Sequence, residues 1–525
     1  MKTLEPELEQ SLQKAWDSTC RVIFWQEMGG LSGYEEWLAE YLPGAARRKS
    51  NLSGREVIIA RDAYPKAARF ISNDELEQNK EHALSINQIK DIDTLVQALR
   101  EKCEYTGNKV LGASSNVEAS DIVMDSHFVY NSTNIEESAY VHSSFMVRKG
   151  SKYSFGSGYF GKSEFMLRVI GTFNSKRCFE SYFVPDSADL YYCHQCFGCH
   201  DLMFSFGQRS SSYKIGNLQL AKEKYLELKA KLIGEMAGEL KREKRLPSLV
   251  ELTPKSAPCP LPKLDIRKQC METNMAAIEK GFASTYSLLF KKQPGSIREY
   301  EEWLSENTIK ILQSKSAFGN INYYPEGFAF YWKLSEGRRV SFDELMAVGK
   351  LSSKEKDVRS LKTIGKALDG IGFFTAELFD GENFNHIESP LVYHGTNVYK
   401  TYDITFGDNT GVCFLALNSK HAYGCYRILE SQFSMKCYNS LYMNRCLEMD
   451  SCNKCSDSYF CHNCEGLSDC MFCFNMKGRR HNVGNTQFDK ETYLKAKAVL
   501  VEQMAEELDR TRKMRHSIFT IGAGR

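Results

Sequence analysis

From Ser389 to Met476 every third residue is small or apolar, and the positions between are mostly polar or aromatic. The series begins Ser, Val, Gly, Val, Thr, Ile, Gly, Thr, Cys, Ala and reaches Met476 without a charged residue or an amide. The same comb runs from Ser120 through Val123, Ser126, Val129 and Ser132 to Val147; after one inserted residue it resumes at Ser151 and continues to Ser205. A period of three is neither the about 3.6 of a helix nor the about 2 of a flat strand. It describes a chain that turns one side chain inward per three residues, a β-solenoid. A three-residue side is about 10 Å long, so a three-sided coil makes inward Cβ atoms collide. Four sides leave a gap of roughly 5 Å that Ser, Cys, Ala and Val fill at native density. The pattern therefore predicts twelve residues per coil, with columns Ser151, Ser163, Ser175, Ser187, Cys199 and Cys413, Cys425, Cys437, Met449, Cys461, Cys473.

The comb occurs twice, and so does what surrounds it. Phe24, Tyr34 and Trp37 match Phe290, Tyr300 and Trp303, each 266 positions on, while Cys193, Cys196 and Asn217 match Cys461, Cys464 and Asn485 at 268. The expected class is α+β by tandem duplication. Each copy is a small α/β or mostly α module, then a β-solenoid, then an amphipathic helix. The expected boundaries are a module over 1–108, a solenoid over 109–217, a capping helix over 218–246 and a Pro-rich linker over 247–264. The second copy follows with a module over 265–385, a solenoid over 386–485 and a capping helix with tail over 486–525. Pro247, Pro254, Pro258, Pro260 and Pro262 are expected to exclude regular structure from the linker. The two late helices, with stripes Tyr225, Leu228, Leu232, Met236 and Tyr493, Ala496, Val499, Met504, Leu508, are expected to cover the solenoid ends, which bare would expose unpaired edges. Asp489 is placed to cap the second of them.

Fourteen of the 18 cysteines lie in the two combs, all on the inward phase: Cys178, Cys193, Cys196, Cys199, Cys413, Cys425, Cys437, Cys446, Cys452, Cys455, Cys461, Cys464, Cys470 and Cys473. Their C-x-x-C spacing invites a zinc reading. A period-three core that favours a small apolar residue gives the same spacing, so the thiols are read as packing groups, with neither a metal nor another cofactor expected. The closing signature of each comb is Cys193, Cys196, Gly198, Arg209, Tyr213, Ile215, Asn217, Gln219, Lys222, Glu223, Tyr225. In the second copy it is Cys461, Cys464, Gly466, Arg479, Val483, Asn485, Gln487, Lys490, Glu491, Tyr493. It resembles uncharacterised cysteine-rich triplet-repeat proteins of uncultured small-celled bacteria and their phages. The resemblance covers the solenoid and following helix of each copy and implies the fold, without an activity. His481 where Tyr213 stands, and a first comb richer in Ser, are departures.

Composition narrows function by exclusion. A net charge of +2 from 68 bases and 66 acids gives no bulk attraction for polyanions. No apolar run is long enough for a membrane span, and the first ten residues carry acids where a signal peptide needs bases, so a cytoplasmic site, or a particle assembled there, is expected. No nucleophile elbow, P-loop or H-E-x-x-H is present, and no catalytic residue is assigned. His194, His200 and His462 are read as outward, solvated side chains, and Asn439 as an outward, tolerant position. The leading expectation is a non-enzymatic scaffold whose outward Tyr438, Tyr442, Tyr459, Phe460, Arg479 and Arg480 contact copies of itself or other subunits of a larger assembly. The alternatives are a nucleic-acid or ribonucleoprotein binder using the basic runs Lys241 to Arg245 and Lys477 to His481, and, third, a zinc-binding or acyl-transfer enzyme.

Overall fold

Residues in the comb fall into short strands that pair in parallel with the strand twelve positions on. Asp121 pairs with Thr133, His127 with Ala139 and Lys176 with Ala188. The computed structural model in which these pairings occur describes residues 4–41, 43–78, 84, 89–266 and 273–523. The register lengthens to thirteen at Ala139↔Lys152, where the comb carries its inserted residue. The first stack contains a ten-stranded and a six-stranded sheet, the second a six-stranded and a five-stranded sheet. Beyond Met435 the second continues largely as single bridges, such as Tyr438 to Asp450 to His462 to Phe474, and ends in a three-stranded sheet from Ser468 to Gln487. With the helices described below, the class is α+β.

The triplet has a backbone cause. Ile122, Asp125, Phe128, Asn131 and Asn134 are left-handed, with φ of 55°, 49°, 57°, 47° and 58°, and the residue after each points inward. Val123, Ser126, Val129 and Ile135 are fully buried there. Left-handed backbone costs about 1–2 kcal/mol at a residue with a side chain, so each turn must be held by other bonds. The inward hydroxyls supply them. Ser132 Oγ donates to Tyr130 O at 2.7 Å and accepts the Ser144 amide of the next coil at 3.0 Å. A thiol repeats both contacts: Cys413 Sγ donates to Gly411 O at 3.4 Å and accepts the Cys425 amide at 3.4 Å. Ser and Cys alternate in the comb because each is small and can both donate and accept.

The long helices lie along the sides of the stacks, not across their ends as the sequence suggests. Pro6–Phe24 crosses the first stack's strands from His127–Tyr130 to Lys176–Phe179. Its Trp16 ring meets Phe155 at 5.4 Å and its Phe24 ring meets Phe179 at 5.0 Å. Met275–Phe290 crosses the second stack, with Phe282 on Tyr423 at 5.3 Å. Lys222–Glu243 and Lys490–Thr511 extend these covers, placing Tyr225 on Tyr213 and Tyr493 on His481. Asp489 caps the latter by accepting the Thr492 amide at 2.9 Å. On that helix Val499 is exposed and Leu500 takes its place in the buried stripe. The physical reason for the side placement is the outward column Phe155, Leu167, Phe179, Tyr191, Met203, which needs an apolar cover.

Each stack ends instead on the other half of the chain. At the end of the first, Gln208 Nε2 donates to Gly349 O at 2.7 Å and Ser353 N donates to Gly216 O at 2.9 Å. A side chain at Gly207 would strike the Leu345 carbonyl. At the end of the second, Thr486 Oγ1 donates to Leu84 O at 2.6 Å, and a side chain at Gly484 would strike Leu84. The stacks lie side by side in opposite directions: Glu136 pairs with Arg427, and Tyr159 lies 6.1 Å from Phe414. Two boundaries differ from expectation. Strands of the second stack begin at Leu378, ahead of 386. The Pro-rich segment contains the helical turn Leu249–Leu252, because Ser248 and Glu251 form a reciprocal cap that the prolines at 247 and 254 only flank. Among the described residues no helix is long and apolar enough to cross a membrane.

Candidate functional site at the junction of the halves

Strand Tyr105–Gly107 of the first module lies against the last coils of the second stack, and polar side chains converge there. Thr106 N donates to His462 Nε2 at 2.9 Å, so the ring proton sits on Nδ1, which is 2.9 Å from Asp450 Oδ2. Tyr64 donates its hydroxyl to the same Asp450 oxygen. Lys109 Nζ donates to Thr106 O at 2.7 Å and lies 3.3 Å from Asp121 Oδ2. Asp121 also accepts the Ala60 and Lys109 amides at 2.8 and 2.9 Å. Tyr105 meets the His462 ring edge-on at 5.0 Å, and Phe519 lies 5.0 Å from Tyr64. Burial alone would raise the Asp450 carboxyl, but the His462 hydrogen bond, Lys109 and Tyr64 outweigh it and hold it below the usual carboxylate range. Burial, with Asp450 beside it, pushes the Tyr64 phenol well up. Every proton in the Tyr64, Asp450 and His462 set is committed to a hydrogen bond within it. Its chemistry is that of a pin between module and stack.

A second junction occupies the matching place at the end of the first stack. There Thr375 N donates to His194 Nε2 at 3.1 Å, and Phe374 lies 5.2 Å from the His194 ring. Phe330 stacks on Tyr182 at 4.3 Å where Tyr64 and Asp450 meet in the first. His194 Nδ1 has no partner, and burial lowers this imidazole to about 3. Matching ionic contacts flank both junctions. Arg168 is bound by Glu180 at 2.7 Å and by Trp37 O; Lys436 is bound by Glu448 at 3.2 Å and Trp303 O at 2.9 Å. Glu180 then accepts the Leu249 amide and Glu448 the Ile518 amide.

The sequence reading placed several of these residues differently. His194 and His462 are fully buried, because the other half's strand covers the outward face on which they stand. His200 does stand exposed, 3.2 Å from Asp201. Of the aromatic positions read as an outer contact face, Tyr438, Tyr459 and Phe460 are buried and Tyr442 alone is exposed. Tyr438 packs on Phe519 at 4.9 Å, Tyr459 donates to Leu289 O at 3.0 Å, and Phe460 stacks on Phe472 at 5.0 Å. Asn439 is 8% exposed, at the edge of the junction. Arg479 and Arg480 are exposed, and Arg480 lies 3.6 Å from Asp469. The basic runs are engaged with acids: Lys477 with Glu465 at 3.3 Å, and Arg245 with Glu40 at 2.6 Å and Glu251 at 2.7 Å. All fourteen comb cysteines are buried with free thiols, and burial pushes Cys178 and Cys446 up to about 12. Among the described residues no group of three or more His, Cys, Asp or Glu side chains is arranged to hold a metal ion. Tyr64, Thr106, Lys109, Asp121 and Asp450 were not singled out from the sequence. The legible signal was the mismatch of Asp450 with Tyr182 between otherwise matching segments. The chain matches no protein-family model, and neither the curated proteins nor the solved structures contain a significant match to it.

Proposed function

We propose that the chain is a non-enzymatic scaffold of two copies of one unit, each a module, a four-sided β-solenoid and a covering helix, and that it recurs as a subunit of a larger assembly. The twelve-residue register and the left-handed residue in most triplets support the solenoid. The duplication is supported by bonds that recur between matching residues, such as Ser50 to Glu75 and Ser316 to Glu344, at 2.6 and 2.8 Å.

The observation that carries the function is the reciprocal docking. Each module closes the other copy's stack, which fixes both copies in one body and gives it two like outer faces. Arg177 binds Asp189 on one face as Arg445 binds Asp457 on the other, through paired bonds of 2.6–2.9 Å. Leu226 and Leu494, 268 positions apart, are 45% and 49% exposed on matching helices. Two like faces let one subunit bridge two neighbours, and joining them raises the effective concentration for the second contact. A glutamate in place of either leucine would leave an unpaired charge buried at the contact, so Leu226→Glu with Leu494→Glu should break the assembly while leaving the monomer's melting temperature unchanged. An assembly of unaltered size after both substitutions would refute these anchors.

A further inference from the structure

The two junctions hold the same place in their halves but are built from opposite chemistry. At the junction of first module and second stack stand Tyr64, Lys109, Asp121, Asn439, Asp450 and Ser451. The residues in matching positions at the other are Phe330, Leu378, Pro390, Gly171, Tyr182 and Phe183. At the second junction the rings fill the space: Phe330 on Tyr182 at 4.3 Å and Phe183 beside Phe328 at 6.0 Å. At the first, Asn439 Oδ1 is buried without a partner at the rim of a small cleft. The covalent arrangement differs too. The strap over the apolar junction, from Leu246 through the turn Leu249–Leu252, continues along the backbone toward the second module, and Arg338 fastens it there by bonds to Pro254 O at 2.7 Å and Ser256 O at 2.5 Å. The strap over the polar junction, Ser517 to Ala523, belongs to the second half and meets the first module by non-covalent contacts, Tyr105 to Ile518 O at 2.8 Å and Gly522 N to Tyr105 Oη at 2.9 Å.

We infer that the polar junction is a seam at which the folded chain opens, with the apolar junction as its hinge. When the surfaces part, water can replace the bonds that cross, Tyr64 to Asp450 and Thr106 N to His462, and can reach Lys109, Asp121 and the Asp450–His462 pair, which stay bonded within their own halves, so that opening recovers solvation. Parting Phe330 from Tyr182 exposes rings, and the bonds that cross there, Thr375 N to His194 and Gln195 Nε2 to Glu377 O, bring no carboxylate to water as Asp450 does at the first. One opening is opposed by a backbone connection and the other is not. This holds whether or not the protein works as a scaffold, because it concerns the order in which one chain comes apart.

Native-state hydrogen exchange on the full chain tests it at two amides in matching roles, Thr106 N bound to His462 and Thr375 N bound to His194. Thr106 should exchange at least about tenfold faster than Thr375 under conditions where opening equilibrates. Equal protection, or faster exchange at Thr375, overturns the seam. A chain carrying Tyr64→Phe and Asp450→Tyr, the residues of the apolar junction, should narrow the gap; an unchanged gap in that folded variant also counts against the seam. Should the variant fail to fold, the comparison in the unaltered protein decides.

Discussion

A single thiol or hydroxyl in the comb, such as Ser132 or Cys413, does three things at once: it fills the interior of the stack, accepts the amide twelve residues on and donates to a carbonyl two residues back. Cys437→Asp places a charge where Cys437 is fully buried, which costs several kcal/mol and should unfold the second stack. The matched control is Asn418→Asp at an exposed left-handed position that Asp tolerates. Thermal melting should separate the two by tens of degrees, and equal melting would dismiss the register. The same burial governs thiol chemistry, because the thiolate is the reactive form and burial disfavours it. Exposed Cys259 should react with a thiol reagent in the native protein, and the fourteen comb thiols only after unfolding. His194 makes a pH prediction. Its imidazole is about 3 in the folded chain and 6.5 unfolded, so the unfolded state binds the extra proton between those values. Stability from this group is whole above about pH 6.5 and is lost as pH falls toward 3, by at most about 1.4 kcal/mol per pH unit. Urea midpoints from pH 6.5 to 4 should fall less steeply in His194→Gln than in the unaltered chain; parallel slopes would show that the histidine is not held neutral.

At the scale of elements, the other half's module does what the long helices were expected to do, and a strap fastens each junction. Phe519 is 2% exposed between Tyr64 and Tyr438, and Phe519→Ala should remove about 3–5 kcal/mol by the loss of a fully buried ring. A shift in the urea midpoint equivalent to less than about 1 kcal/mol would mean that the strap is not a structural part of the junction. The comb was legible because only small or apolar residues fit its axis, so sequence and position are tightly coupled there. The cap at Asp489 was legible for the same local reason, whereas that at Ser248 with Glu251 was masked by the prolines around it. The burial of His194, His462, Tyr438 and Tyr459 was not legible. An outward residue of a coil is buried or exposed according to what covers it, and the covering elements lie between 170 and 386 positions away for Tyr459 and Asp450. Aromatic residues on an outward column signal that some cover exists without saying which element supplies it.

At the scale of the whole molecule, each module docks on the other half's stack and joins the halves into one body, and the asymmetry is concentrated at one junction. Fourteen buried thiols, paired basic runs and a committed Asp450 and His462 all serve to hold that body together. Among the exposed surfaces, the two that carry matching residues are those with Leu226, Leu494 and the Arg–Asp pairs. The scaffold account requires that these faces be used, and the most direct measurement is native mass spectrometry with light scattering on the protein as extracted from its source, before and after nuclease. The account predicts a particle of many copies whose mass survives nuclease. A monomer in the extract, or a complex that falls apart when nucleic acid is digested, would contradict it.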